Sequence, residues 1–127
     1  MRHIDYVTSI AKSANSLGFH FGAVIFRGKD IISTGWCQCK THPQQARYMQ
    51  YAPKWKRKNS FLHAEMHALI VARKDAAGND MIIARVANDH LKPSHPCDAC
   101  MTAISVANIR RIWYWDGYDW VKKAVDN

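Results

Sequence analysis

Two short clusters in this sequence hold residues able to do chemistry: His63-Ala64-Glu65, and Pro96-Cys97-Asp98-Ala99-Cys100. Taken alone, Cys97-x-x-Cys100 reads as a redox pair, as half of a four-ligand structural zinc site, or as coincidence. Cys37 and Cys39 are candidates for the other two ligands of such a structural site. Joined instead to His63, the pair gives three protein ligands with a fourth position open, which is what a catalytic zinc requires. If both clusters open helices, the helix dipoles favour thiolate over thiol. Glu65 lies two residues past His63, about 200 degrees around a helix axis. In a first turn it still reaches the metal's side, as a proton carrier that is not a ligand. His63 and His67 are four apart with a glutamate between them. Zinc proteases carry that glutamate directly after the first histidine (H-E-x-x-H), so His67 is expected beside the site and outside the metal shell.

These residues need elements to position them. Apolar residues Ile4, Val7, Ile10, Ala11, Ala14 and Leu17 predict a helix over 3–17, stopped by Gly18. Phe21 to Phe26 and Ile31 to Trp36 predict two strands joined by a turn at Gly28-Lys29-Asp30. Residues 37–60 read as a long basic loop with a helical turn near Gln44 to Tyr51 and the run Lys54-Trp55-Lys56-Arg57-Lys58. Helices are predicted for Leu62 to Lys74 and Cys97 to Ala107, strands for Met81 to Ala87 and Arg110 to Trp115, and a short terminal helix for Asp119 to Val125. The stretch Asn88 to Pro96 reads as loop. That order predicts one α/β domain over residues 1–127, with helices covering a mixed sheet.

The composition is that of a globular domain: 48% hydrophobic and 22% charged over 127 residues, with no repeats. The net charge of +8 suggests a phosphorylated or polyanionic partner. No apolar run approaches the roughly 18 residues that would span a bilayer, and no membrane partner is expected. The first residues, Met1 to Asp5, lack the apolar core of a secretory signal, so a cytoplasmic location is expected. In such a compartment four cysteines are read as thiols or metal ligands.

The pair of clusters, H-x-E followed by P-C-x-x-C, resembles the zinc-binding pattern of nucleobase deaminases. The chain resembles the cytidine and deoxycytidylate deaminase superfamily along most of its length. Phe21 to Ile25 and Ile31 to Trp36 look like that family's first hairpin. Leu62-His63-Ala64-Glu65 looks like its first zinc helix. Pro96 to Cys100 and Ile109 to Tyr114 look like its second zinc helix and the next strand. The resemblance implies a three-layer α/β/α fold with a mixed sheet of about four to five strands, and homo-oligomers. It implies one catalytic Zn2+ on His63, Cys97 and Cys100, with Glu65 moving protons while an amine leaves as ammonia. A second, structural ion at Cys37, Cys39 and His42 is not expected.

The histidine in the first motif, the short C-x-x-C spacing and the predicted final helix lean toward the deoxycytidylate and tRNA-adenosine branches. Ser94 to Cys97 also looks like small deaminase-like proteins of phages, in which case the compartment would be the host cytoplasm. One position departs from the family: where an asparagine commonly contacts the substrate sugar, this chain has Cys37, and a thiol is a weak donor. The substrate-side candidates are His20, Trp36, Cys37, Ala64, His67 and Ser94. The expected substrate is a small-molecule cytosine nucleotide of the dCMP type. The alternatives are single-stranded DNA or RNA, for which Trp55 among Lys54, Lys56, Arg57 and Lys58 suits stacking and charge, or a non-catalytic zinc-binding module. With no Gly-rich phosphate loop, no dedicated regulatory site is expected.

Overall fold

The computed structural model describes residues 2–14, 20–54 and 61–126. Helix α1 (Arg2–Ser13) is followed by strands β1 (Phe21–Arg27), β2 (Asp30–Trp36) and β3 (Gln38–Thr41), and by helix α2 (Pro43–Tyr48), which a 3-10 turn (Met49–Tyr51) extends. Then come β4 (Phe61–Leu62), α3 (Ala64–Ala72), β5 (Asp80–Ala87), β6 (His90–Lys92), α4 (Asp98–Val106), β7 (Arg111–Trp115) and β8 (Trp120–Ala124). The main sheet runs β2-β1-β5-β7-β8, with β6 also paired to β5, which makes six strands. It is mixed because β5 and β7 are parallel, Asp80 facing Arg111 and Ile83 facing Tyr114, while the other pairs are antiparallel. β3 and β4 form a separate two-stranded ribbon.

The layers follow from strand alternation, which sends successive side chains to opposite faces. Val24, Phe26, Ile82, Ala84 and Val86 face α1 and bury Val7 and Ala11. Ala23, Ile25, Met81, Ile83 and Ile112 face the other way and bury Met66, Ala68, Leu69, Ala103 and Ile104 of α3 and α4. Helices thus cover both faces, giving the three-layer α/β/α arrangement. A parallel β5–β7 pair needs a crossover, and α4 is part of it.

The structure corrects several sequence expectations. The terminal segment is not a helix: β8 pairs antiparallel with β7, Trp120 opposite Trp115 and Lys122 opposite Trp113. The cause is the turn before it. Asp116 Oδ1 accepts from the backbone N–H groups of Tyr118 at 2.7 Å and Asp119 at 2.9 Å. Gly117 takes φ 114° in that turn, so Asp-Gly makes a hairpin. The predicted final helix therefore gives no support to a choice of branch. Asn88 to Pro96 contains β6, reached through Asn88 (φ 52°) and Asp89 (φ 61°). The predicted loop 37–60 also contains strand β3; the helical turn expected near Gln44 to Tyr51 is there, as α2 and the 3-10 turn. α3 begins at Ala64, two residues later than expected, because Phe61–Leu62 pairs with β3. Leu17, Gly18 and the run Trp55 to Lys58 lie outside the described residues.

Candidate metal centre

His63 and Cys97 hold equivalent places. His63 is the N-cap of α3 and Cys97 the N-cap of α4, both with extended backbone (φ −78°, ψ 154° and φ −68°, ψ 169°). Neither helix has a side-chain cap bond there, so the first-turn N–H groups are left facing the same end of the sheet. Cys100 sits in the first turn of α4 and is fully buried. His63 Nδ1 lies 3.7 Å from Cys97 Sγ and 3.3 Å from Cys100 Sγ. One ligand atom from each residue lies within 4.8 Å of the others. Tetrahedral zinc at ordinary bond lengths would put nitrogen and sulfur about 3.6 Å apart. The two observed separations straddle that figure, and two thiols with one imidazole form a donor set suited to zinc. Among the described residues this is the group able to hold a metal ion. Cys37, Cys39 and His42 do not form one; His42 Nδ1 instead accepts from Gln44 N–H at 3.1 Å and caps α2.

The electrostatics follow from proximity without a cation. A hydrogen bond from Cys100, with one from His63, draws the Cys97 thiol down to about 4 against the opposing effect of burial. The hydrogen bond to Cys97, then burial, pushes Cys100 up. The opposed directions favour a single thiolate shared by the pair, the form of cysteine that binds a cation.

Glu65 is in the first turn of α3, 5% exposed. Burial raises its carboxyl pKa; His63 opposes the rise and Cys97 adds to it. The carboxyl therefore stands inside the field of the cluster. His67, one turn past His63, is half-buried, and burial lowers its pKa. Its Nδ1 accepts from Trp36 N–H at 3.2 Å and from the Gln38 side-chain amide at 3.0 Å.

The other substrate-side candidates are placed as follows. Cys37 is half-buried at the end of β2, with its N–H on Phe21 O at 3.4 Å, and Glu65 contributes to raising its pKa after burial does. Trp36 is 42% exposed. His20, half-buried, accepts Val86 N–H at its carbonyl, which joins the start of β1 to the end of β5. Ala64 is fully buried. Ser94 is buried and its hydroxyl bridges two strands, donating to Ile83 O at 2.8 Å and accepting from Trp115 N–H at 2.9 Å.

Sequence reasoning missed Gln45. It is fully buried on α2, and its Oε1 accepts the backbone N–H of His63 at 3.0 Å. Its signal was faint, because a glutamine in a polar stretch ordinarily faces water.

The fold is shared with known proteins. A family model for the cytidine and deoxycytidylate deaminase zinc-binding region matches residues 1–115. No curated protein matches the sequence. Among solved structures, dCMP deaminase from the cyanophage S-TIM5 in apo form is similar at TM-score 0.60 and 19% identity, over 93% of this chain and 82% of that one. The same enzyme in complex with dCMP and dUMP is similar at TM-score 0.57 and 18% identity, over 87% and 76%. Acinetobacter baumannii RibD (form 2) is similar at TM-score 0.52 and 20% identity; 87% of this chain matches 26% of that larger protein. These likenesses are of fold; the family match over residues 1–115 shows that the chain belongs to the cytidine and deoxycytidylate deaminase family, through its zinc-binding region.

Proposed function

We propose that the chain catalyses zinc-dependent hydrolytic deamination of a cytosine nucleotide of the dCMP type, giving the uracil nucleotide and ammonia. The observation that carries this reading is Glu65: a carboxyl 5% exposed, set beside three converging ligand atoms, with its pKa raised by burial. A structural zinc site needs no such group. His63, Cys97 and Cys100 are the residues that would hold the ion, which when bound supplies Lewis-acid activation of water. Glu65 takes a proton from the attacking water and holds it out of bulk solvent. It passes that proton to the ring nitrogen beside the amine, then carries the proton of the newly added hydroxyl to the departing amine. Water adds one oxygen at the amine-bearing carbon, and the amine nitrogen leaves as ammonia, so atoms balance.

The choice of nucleotide is supported by the cyanophage enzyme of the same fold, whose structure is in complex with dCMP and dUMP. A second reading, deamination of single-stranded nucleic acid, is favoured by the net charge of +8, more than one monophosphate calls for. One panel separates them: ammonia release from dCMP, CMP, dCTP, deoxycytidine, adenosine and labelled single-stranded DNA. Release from dCMP is expected. Release from the oligonucleotide alone would overturn the nucleotide assignment. Glu65→Ala should keep the metal and lose turnover, and near-normal activity of that variant would remove Glu65 from its role.

A further inference from the structure

His67, one turn after His63, packs against the junction between β2 and β3. Residues on both sides of Cys37 hold on to its ring. Trp36 donates its backbone N–H to Nδ1 at 3.2 Å, and the Gln38 amide donates to the same nitrogen at 3.0 Å. The Trp36 indole meets the ring edge to face, centroids 4.5 Å apart and planes at 80°. Two donors on Nδ1 fix it as a bare acceptor. At its other end the ring belongs to α3, and His67 N–H donates to His63 O at 3.0 Å. Gln38 also pairs in register with Leu62, the residue before His63. Cys37 lies between the two donors in sequence, half-buried, with its N–H on Phe21 O at 3.4 Å.

We propose that His67 is a positioning residue: it clips the Trp36–Gln38 segment to α3, and so fixes Cys37, a substrate-side candidate, between its two donors. The proposal rests on the deaminase reading for its kinetic consequence, though not for its structural one. Losing the clip loosens substrate binding and leaves the metal in place, because none of the three contacts involves a ligand side chain.

Two variants test it. H67N keeps an acceptor where Nδ1 stands; H67L fills similar space with no acceptor. Hydrogen exchange at the Trp36 amide reads the clip without any activity. In H67L that amide should exchange about tenfold faster, the worth of one or two neutral hydrogen bonds, and H67N should restore most of the protection. KM for the cytosine nucleotide should rise about tenfold in H67L, with kcat and zinc content near wild type, and H67N should recover it. If H67L fails to fold, Gln38→Leu removes one of the two donors without touching α3 and should raise KM about threefold. Unchanged exchange and KM in these variants would overturn the proposal, as would equal damage from H67N and H67L, or loss of zinc in H67L. A wild-type protein inactive on every substrate would instead sink the deaminase reading and leave the exchange result standing.

Discussion

Gly35 sits where α3 crosses β2, and replacing it with alanine is the most direct way to ask what that contact does. A Cβ at position 35 would overlap the Ala64 carbonyl oxygen and come within 2.5 Å of Ala68 N and 3.1 Å of Ala68 Cα. All three obstacles are backbone, so no side chain can swing aside. Ordinary contact begins near 3.5 Å, so α3 must recede by about 1 Å. Overpacking of this kind costs about 1–3 kcal/mol. For a domain of this size each kcal/mol lowers Tm by roughly 3–6 °C. The chemistry should suffer more. His63 and Glu65 ride on the start of α3, whereas Cys97 and Cys100 belong to α4. A shift of that size exceeds the tolerance of a metal–ligand distance, about 0.2 Å, and misplacement on that scale costs about 100-fold in rate. Thermal melts, zinc per chain and ammonia release from dCMP measure the three effects. Gly28→Ala is the control: Gly28 has φ 56° but open space around it. It should cost about 1 kcal/mol through backbone strain alone and leave turnover intact. Wild-type Tm and turnover in Gly35→Ala would refute the reasoning.

Gln45→Leu removes the acceptor for His63 N–H, and a buried donor left unsatisfied costs about 1–3 kcal/mol. Zinc affinity should fall about 10- to 100-fold, read by competition with a chromophoric chelator. Asp80 is buried and takes Arg110 at 3.1 Å, Arg111 at 3.3 Å and the Trp113 indole N–H at 3.3 Å. Asp80→Asn should lower the melting temperature yet keep turnover, because these partners stand at the end of β5 and β7 remote from Cys97. Glu65 binds its proton more tightly folded than unfolded, since burial raises its pKa from the ordinary 4.5. The stability this contributes is complete below pH 4.5 and is lost as pH rises through the folded value. Metal-free Glu65→Gln should lack that decline, so the gap between its melting curve and that of the metal-free wild type should widen over the same range.

The metal centre was legible because its information is local. Three residues of two types at fixed spacing, each at a helix start, suggest the ligand set before any tertiary contact is known. Both helix starts came within two residues of their observed positions. What escaped were features decided by partners distant in sequence. Trp120-Val121-Lys122-Lys123-Ala124 carries no strong period, and its pairing with β7 made it a strand; the Asp116-Gly117 turn was the available clue. Gln45 escaped because burial of a glutamine is set by a backbone N–H eighteen residues away. His67 was expected near the site, yet only the fold supplies Trp36 and Gln38 as its partners.

The terminal strand bears on how copies of this molecule behave toward one another. β8 forms one edge of the sheet, and edge strands present unpaired backbone groups that a second chain can match. Lys122 and Lys123 are both exposed there. Two such edges approaching each other would bring four ammonium groups together, a repulsion that discourages strand-to-strand stacking. The same Lys122 leans over the Trp113 ring at 5.2 Å and covers part of its surface. With valine at both positions the segment would read as an uncharged, β-branched run between Trp120 and Ala124, the composition from which cross-β assemblies grow. Colloidal stability of the molecule is thus tied to two lysines that stand away from its chemistry.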